Sequence, residues 1–128
     1  MDPEFLDLED VFEFHKTALE RWGGLDGIRD RGALEAAIGA AAQTFDGKYL
    51  HGDLFSMAAT YAFHIAQSQG FLDGNKRTGV FAAVIFLDTN GVRVHNQEDV
   101  LYLAMIDIAE RKMTKAQLAN LLRELANV

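Results

Sequence analysis

The sequence contains no cysteine, a single proline and no long uninterrupted apolar run. The absence of cysteine excludes disulfide bonds, a thiolate nucleophile and a thiolate zinc site, and it is consistent with a reducing cytoplasm. The longest apolar run, residues 80–87, is too short to cross a bilayer, and no basic segment followed by an apolar one begins the chain. We therefore expect a cytoplasmic protein with no membrane-spanning segment and no secretory leader.

Positive charge is also scarce, with 12 lysines and arginines against 19 acidic residues, a net charge of -7 and a pI near 4.9. Phosphate backbones are normally bound by a clustered basic face, so we expect no nucleic-acid partner. The length of 128 residues suits one domain with its own core. The opening MDPEF is typical of an expression-vector remnant, although a native terminus would look similar, so we assign residues 1–5 to such a remnant and residues 6–128 to the domain.

Apolar residues recur at helical spacing in six segments bounded by capping and turn residues. The predicted helices cover about residues 8–22, 31–43, 54–69, 75–89 and 98–111, followed by a sixth after residue 114. The fourth is apolar nearly all round, which predicts the central buried helix. Residues 44–52 are predicted to form an exposed loop and residues 92–94 a short extended piece. The expected fold is a compact all-α domain of about six helices around a buried central helix.

The segment QGFLDGNKRT, residues 69–78, lies where a turn opens into the fourth predicted helix. The free backbone N–H groups and the positive dipole end of a helix start favour anions there. Gly70 and Gly74 permit close approach of a ligand to the backbone, while Lys76 and Arg77 add positive charge. The segment therefore has the features of a phosphate-binding loop.

Asp73 places a carboxylate among these cations. Magnesium in proteins commonly takes one or two carboxylates together with substrate phosphates, so a magnesium nucleotide is a natural ligand. The alternative is that Asp73 only caps the helix and the cations are solvated, and the local pattern leaves both interpretations open.

The segment resembles the Fic family signature: histidine, any residue, phenylalanine, any residue, aspartate or glutamate, glycine, asparagine, glycine or lysine, and arginine. It matches at Phe71 and at residues 73–77. Lys76, where AMP-transferring members usually have glycine, and Val80, where many have a second arginine, resemble the Doc branch, the toxins of death-on-curing toxin–antitoxin pairs. The similarity covers nearly all of residues 6–128.

This resemblance implies an all-helical fold and a bacterial cytoplasmic enzyme that transfers the γ-phosphoryl group of ATP to a threonine of elongation factor Tu, which blocks translation. Carried over by position, Asp73 would hold Mg²⁺, and Lys76 and Arg77 would act in catalysis. The implied nucleotide and phosphate ligands are Phe71, Gly74, Asn75, Lys76 and Arg77. Tyr49 and His51 would lie in a loop that aligns the target, by a looser correspondence. An antitoxin acting in trans would silence the toxin.

The first position of the motif, where the family has its histidine base, is Gln69. A glutamine amide has no useful basicity, so transfer should be impaired by about a hundred- to ten-thousand-fold. His64 lies five residues earlier and is rotated away on a helix, so it is not expected to replace the base. An engineered, detoxified variant and a natural degenerate member are both open explanations.

Two other functions remain as alternatives, a Fic-type AMP transferase acting on a protein hydroxyl and a non-catalytic module that binds nucleotide or protein. His15, His51 and His95 are scattered and show no metal-binding spacing. Trp22, Tyr61 and the phenylalanines are assigned to core packing by default.

Overall fold

The computed structural model describes residues 2–127, which form six α-helices and one short hairpin. The helices are α1 Leu8–Trp22, α2 Arg31–Gly39, α3 Leu54–Ser68, α4 Asn75–Thr89, α5 Val100–Ala109 and α6 Lys115–Ala126. Single turns of 3-10 helix, Ala40–Ala42 and Gln97–Asp99, extend α2 and precede α5. The prediction of an all-α domain of six helices is confirmed.

Four helices begin at a residue whose side chain caps the first turn. Asp7, Asp30, Asp53 and Thr114 each accept a hydrogen bond from the backbone N–H three residues later. Such a bond satisfies one of the N–H groups that a helix start leaves without a partner. These caps explain why the starts of α1, α2, α3 and α6 fall where the sequence predicts them.

The centre of the domain is a pair of helices, α3 and α4. Helix α3 packs against α2, α4, α5 and α6, while α4 also contacts α1 and α5. The two axes approach closely at Gly79, where an added Cβ would lie 2.8 Å from the carbonyl oxygen of Ala62. Tyr61 of α3 and Phe86 of α4 are fully buried at this interface, with ring centroids 5.1 Å apart. Helix α4 is therefore central as predicted, but it shares that position with α3.

The connection between α2 and α3 differs from the predicted loop, because it contains a two-stranded antiparallel hairpin, β1 Thr44–Phe45 and β2 Lys48–Tyr49. Asp46 and Gly47 form its turn, and both have positive φ angles, of 54° and 79°. That backbone is typical of a type I′ turn, for which Asp-Gly is a favoured pair.

The extended piece predicted at residues 92–94 does not form a strand. Within residues 2–127, strand pairing is limited to the hairpin and to an isolated bridge between Ile28 and Phe71. None of the helices in this part of the chain is both long enough and apolar enough to span a membrane.

The residues before α1 pack on the domain. Glu4 and Asn90 exchange two hydrogen bonds, of 2.8 and 3.0 Å, and Phe5 stacks on Phe86 with ring centroids 5.9 Å apart. The backbone N–H of Leu6 donates to the hydroxyl of Tyr61, whose pKa is raised to about 12 by burial. The assignment of residues 1–5 to a vector remnant stays a prediction, but Glu4 and Phe5 form part of the packed surface.

Candidate functional site

Gln69 and residues 72–77 line a cleft of about 340 Å³ at the end of α3 and the start of α4. Two other elements complete the cleft, the C-terminal end of α1 with Trp22 and the face of α5 with Tyr102. The residues that the Fic signature singles out are therefore brought to one cavity, apart from Phe71, whose ring is buried beneath it.

Helix α4 opens into this cleft without a side-chain cap. Its N-cap is Gly74, whose left-handed backbone, with φ of 80°, suits glycine. No side chain within residues 2–127 caps the first turn, so the N–H groups of residues 75–77 have no capping partner in this part of the chain. Asp73 is not the N-cap, so the interpretation of this residue as a simple helix cap is wrong. An open helix start next to a lysine and an arginine is suited to bind an anion.

Asp73 is tied to the backbone on both sides of the cleft. Its Oδ1 accepts from the N–H of Gly74 at 3.0 Å and its Oδ2 accepts from the N–H of Leu25 at 3.3 Å. Gly24 allows this contact, because an added Cβ there would lie 2.8 Å from Oδ2. The carboxylate is solvent-exposed and retains lone pairs for a cation.

The described residues include no group of three or more His, Asp or Glu side chains that could enclose a metal ion. A lone carboxylate beside an open anion site suits Mg²⁺, which usually keeps several waters and takes its remaining ligands from the phosphates. Asp73 and the helix start therefore fit a magnesium nucleotide better than a metal held by protein ligands alone.

His15 holds the same loop from beneath. It is buried on α1 and stacks on Phe71, with ring centroids 3.8 Å apart and planes 5° apart. Its Nε2 lies 2.9 Å from the carbonyl oxygen of Asp73. A carbonyl only accepts, so Nε2 carries the proton and donates. This contact could not be predicted from the sequence, because residues 15 and 73 are far apart in the chain and no local pattern links them.

Asn75 and Phe71 brace the loop internally. The Asn75 amide accepts from the N–H of Phe71 and donates to its carbonyl, both at 3.0 Å, and both residues are buried. The Asn75 side chain is therefore already hydrogen-bonded, and its backbone N–H is the group left to bind phosphate in the predicted role. Gly70 serves packing, since an added Cβ would lie 2.3 Å from a side-chain carbon of Leu34. The close approach expected at Gly70 is thus made by α2.

Arg77 lies between two aromatic rings. Its guanidinium carbon is 4.1 Å from the ring centroid of Trp22 and 3.6 Å from that of Tyr102, and its Nη1 donates to Asp99 at 2.5 Å. Trp22 is 48% exposed, so its assignment to the core is wrong. Lys76 lines the cleft and forms no ion pair with residues 2–127.

Gln69 ends α3 in a left-handed conformation, with φ of 51°. Its side chain is exposed, and its Nε2 donates to the carbonyl of Ala66 at 3.1 Å. The residue also lines the cleft. Gln69 therefore lies next to the open start of α4, and its correspondence to the family's histidine stays a prediction.

Tyr49 and His51 do not line this cleft in the described structure. Tyr49 borders a separate cavity with Asp2 and Asn90, and partial burial together with the Asp2 carboxylate raises its pKa. Burial and the positive charge of Lys115 lower the pKa of His51. A target-aligning role for the two residues stays a prediction.

His64 is directed away from Gln69 and accepts from Lys115 on α6, with Nε2 and Nζ 3.1 Å apart. Burial, and then the charges of Lys115 and His51, lower its pKa, while burial lowers the pKa of Lys115. As expected from helical spacing, His64 lies outside the cleft lining.

His64 is expected to make the fold less stable in mild acid. Its folded-state pKa is below the ordinary value of 6.5, so the unfolded chain takes up the proton first and stability falls as pH drops below 6.5. The His64→Gln variant, which keeps an acceptor for Lys115, should lose less unfolding free energy than the parent between pH 6.5 and 5. Urea unfolding at several pH values tests this, and parallel curves for the two proteins would contradict it.

An uncapped helix start, a carboxylate and an arginine line one cleft of this all-α domain, as expected of a Fic-type protein, and sequence comparison supports that class. The Fic/DOC family pattern matches residues 5–87, more than half of the chain. The chain belongs to the Fic/Doc family.

Two relatives show which members of the family this chain is similar to. It is 33% identical over 117 residues to the protein kinase Doc of Escherichia phage P1, covering 91% of each protein. It is 37% identical over 97 residues to the toxin Doc of Mycolicibacterium smegmatis, covering 76% of this chain and 72% of that protein. Within the family, the chain is therefore related to Doc-type toxins.

Proposed function

We propose that this chain is a Doc-type toxin whose cleft binds ATP with Mg²⁺, and that the family reaction is transfer of the γ-phosphoryl group to a threonine of elongation factor Tu. The observation that carries the proposal is the uncapped start of α4 at Gly74, with Asp73 and Arg77 lining the same cleft. The similarity to a Doc protein kinase supports phosphoryl transfer over other chemistry.

The backbone N–H groups of residues 75–77 would bind phosphate oxygens, with Lys76 and Arg77 adding positive charge. Asp73 would hold Mg²⁺, which, when bound, neutralises charge on the transferring phosphates. The target hydroxyl oxygen would form the new bond to the γ-phosphorus, the bond to the bridging oxygen would break, and ADP would leave. Donors fixed before the reaction lower the barrier because they need no reorganisation as charge develops.

In this reaction Gln69 would lie beside the attacking hydroxyl, whose proton needs an acceptor. Its amide can hydrogen-bond to that hydroxyl but cannot take the proton at neutral pH, so the proton would pass to water. We therefore propose that this chain binds ATP while transferring its phosphoryl group poorly.

The same residue favours a second candidate function, a binding module that holds nucleotide or protein without chemistry. Turnover by the unaltered chain at the rate of its Gln69→His form would exclude this candidate. AMP transfer is the remaining alternative, and the mass of the group added to a modified target distinguishes it. At the position of a second arginine this chain has Val80, which borders a neighbouring cavity with Asp99 and not the cleft.

An antitoxin is the expected partner in trans, docking an amphipathic segment in an apolar groove. The groove that fits best is lined by Phe12, Leu19, Ile28 and Phe71 and borders the cleft at Gly24. Occupation of this groove would bring the antitoxin next to the phosphate site. Tyr49 and His51 remain the proposed contacts for the target segment.

Removal of the Asp73 charge should weaken the magnesium-dependent part of ATP binding. In Asp73→Asn we expect the gain in ATP affinity on adding Mg²⁺ to fall by on the order of tenfold or more, because a metal ligand is lost. Isothermal titration calorimetry with ATP, in Mg²⁺ and in EDTA, measures this gain.

The matched control is Asp26→Asn, which removes one exposed carboxylate from the loop that follows α1. It should leave the magnesium-dependent gain unchanged. An equal loss in both variants would mean that Asp73 acts only through the net charge of the protein. Unchanged binding in Asp73→Asn would contradict its role as a magnesium ligand.

A further inference from the structure

Arg77 lies against two aromatic rings and donates to a carboxylate, and an arginine needs none of these contacts in order to bind phosphate. We propose that Trp22, Tyr102 and Asp99 form a clamp that positions the Arg77 guanidinium for phosphate, which makes them positioning residues of the site. The inference rests on the proposed function, since it takes the cleft to be a phosphate site.

The two rings restrain the faces of the guanidinium. The guanidinium carbon lies 4.1 Å from the centroid of Trp22 and 3.6 Å from that of Tyr102, both within the range of cation–π attraction. The rings come from different elements, the end of α1 and the body of α5. The Arg77 side chain is only 18% exposed as a result. A guanidinium flanked by two rings can donate hydrogen bonds only within its own plane.

Asp99 occupies one part of that plane. It accepts from Nη1, whereas Nε and Nη2 have no hydrogen-bond partner within residues 2–127. Nε–H and Nη2–H form a side-on fork, which can bind two phosphate oxygens at once. Asp99 therefore leaves a complete fork available for phosphate.

The two cavities that Arg77 borders indicate on which side of the guanidinium the Nε–H and Nη2–H fork would meet a phosphate. Arg77 and Trp22 border both the cleft and a second cavity of about 210 Å³. Tyr102 borders the cleft, whereas Asp99 borders the second cavity. Asp99 thus binds the guanidinium from the side away from the cleft. The clamp therefore holds the Arg77 side chain between the two cavities.

Affinity for two magnesium-loaded ligands, ATP and inorganic tripolyphosphate, tests the clamp by calorimetry. Trp22→Leu and Tyr102→Leu should each weaken both ligands by about threefold to thirtyfold, because they remove a cation–π contact. Trp22→Phe and Tyr102→Phe keep an aromatic face and should stay within about twofold of the parent. Leu103→Ala, an exposed neighbour on α5, is the control and should bind like the parent.

A double-mutant cycle separates positioning from direct contact. If Trp22 acts through Arg77, then Trp22→Leu should cause no further loss in an Arg77→Met background. Additive losses, or a loss for ATP alone with tripolyphosphate unaffected, would mean that Trp22 contacts the nucleotide itself, and either result would overturn the clamp.

Fluorescence gives a second readout, because Trp22 is the single tryptophan of the chain. Magnesium tripolyphosphate should change its emission in the parent and not in Arg77→Met. Parent-like affinity in both leucine variants would overturn the clamp while leaving the proposed function intact. Failure of the parent chain to bind either ligand would overturn the phosphate site itself, and the clamp with it.

Discussion

Replacement of Gln69 with histidine is expected to raise phosphoryl transfer by about a hundred- to ten-thousand-fold. An imidazole with an ordinary pKa near 6.5 can take the proton of the attacking hydroxyl at neutral pH, which a glutamine amide cannot do. The measurement is transfer of labelled γ-phosphate from ATP to purified elongation factor Tu in the presence of Mg²⁺.

The backbone at this position is compatible with the change. Gln69 has a positive φ of 51°, and histidine is one of the few residues besides glycine enriched in that conformation. Gln69→Asn is the matched control, because asparagine also tolerates this backbone but supplies no base. It should remain as slow as the parent.

Three further outcomes would test whether the activity of the histidine form comes from residue 69 and from the cleft. Asp73→Ala combined with Gln69→His should abolish the recovered transfer, which would link the activity to the cleft. No transfer by the histidine form would contradict the phosphotransferase proposal. Equal rates for the histidine and asparagine forms would contradict the role of residue 69 as base.

Phe71→Ala is expected to lower the unfolding free energy by about 3–5 kcal/mol, a large part of the stability of a domain this size. The ring is 1% exposed, stacks on His15 and meets Phe12 edge to face, so its removal leaves a cavity beneath the loop. Guanidinium unfolding followed by circular dichroism measures the change.

The control for this variant is Phe45→Ala on the hairpin, where the ring is 77% exposed. It should alter the unfolding free energy by no more than about 0.5 kcal/mol. Similar losses in the two variants would contradict the assignment of Phe71 as the anchor of the loop. A loss in Phe71→Ala accompanied by weaker ATP binding would show that core packing also sets the geometry of the phosphate site.

Much of the fold was predictable because its signals are local. Caps at Asp7, Asp30, Asp53 and Thr114, together with helical spacing of apolar residues, indicate four helix starts. The hairpin was missed although Asp46-Gly47 is a favoured turn pair, because strands of two residues carry no alternation of apolar and polar positions.

Only the part of the site formed by residues close together in the chain could be predicted from the sequence. Gln69 and residues 72–77 line one cleft because they are close together in the chain around a helix start. His15 beneath Asp73, and Trp22 against Arg77, depend on how α1 crosses α4, which no local pattern specifies. A tryptophan is more often buried than placed at a cleft, so its default assignment to the core was wrong for Trp22.

A fluorophore attached at Glu4 would lie far from the cleft that Asp73 and Arg77 line. Glu4 is hydrogen-bonded to Asn90, which caps the C-terminal end of α4, whereas the cleft lies at the opposite end of the same 15-residue helix. A helix of that length spans about 22 Å, so Glu4 and the cleft are separated by roughly the length of α4. A label at Glu4 should therefore leave the cleft around Asp73 and Arg77 accessible to ATP.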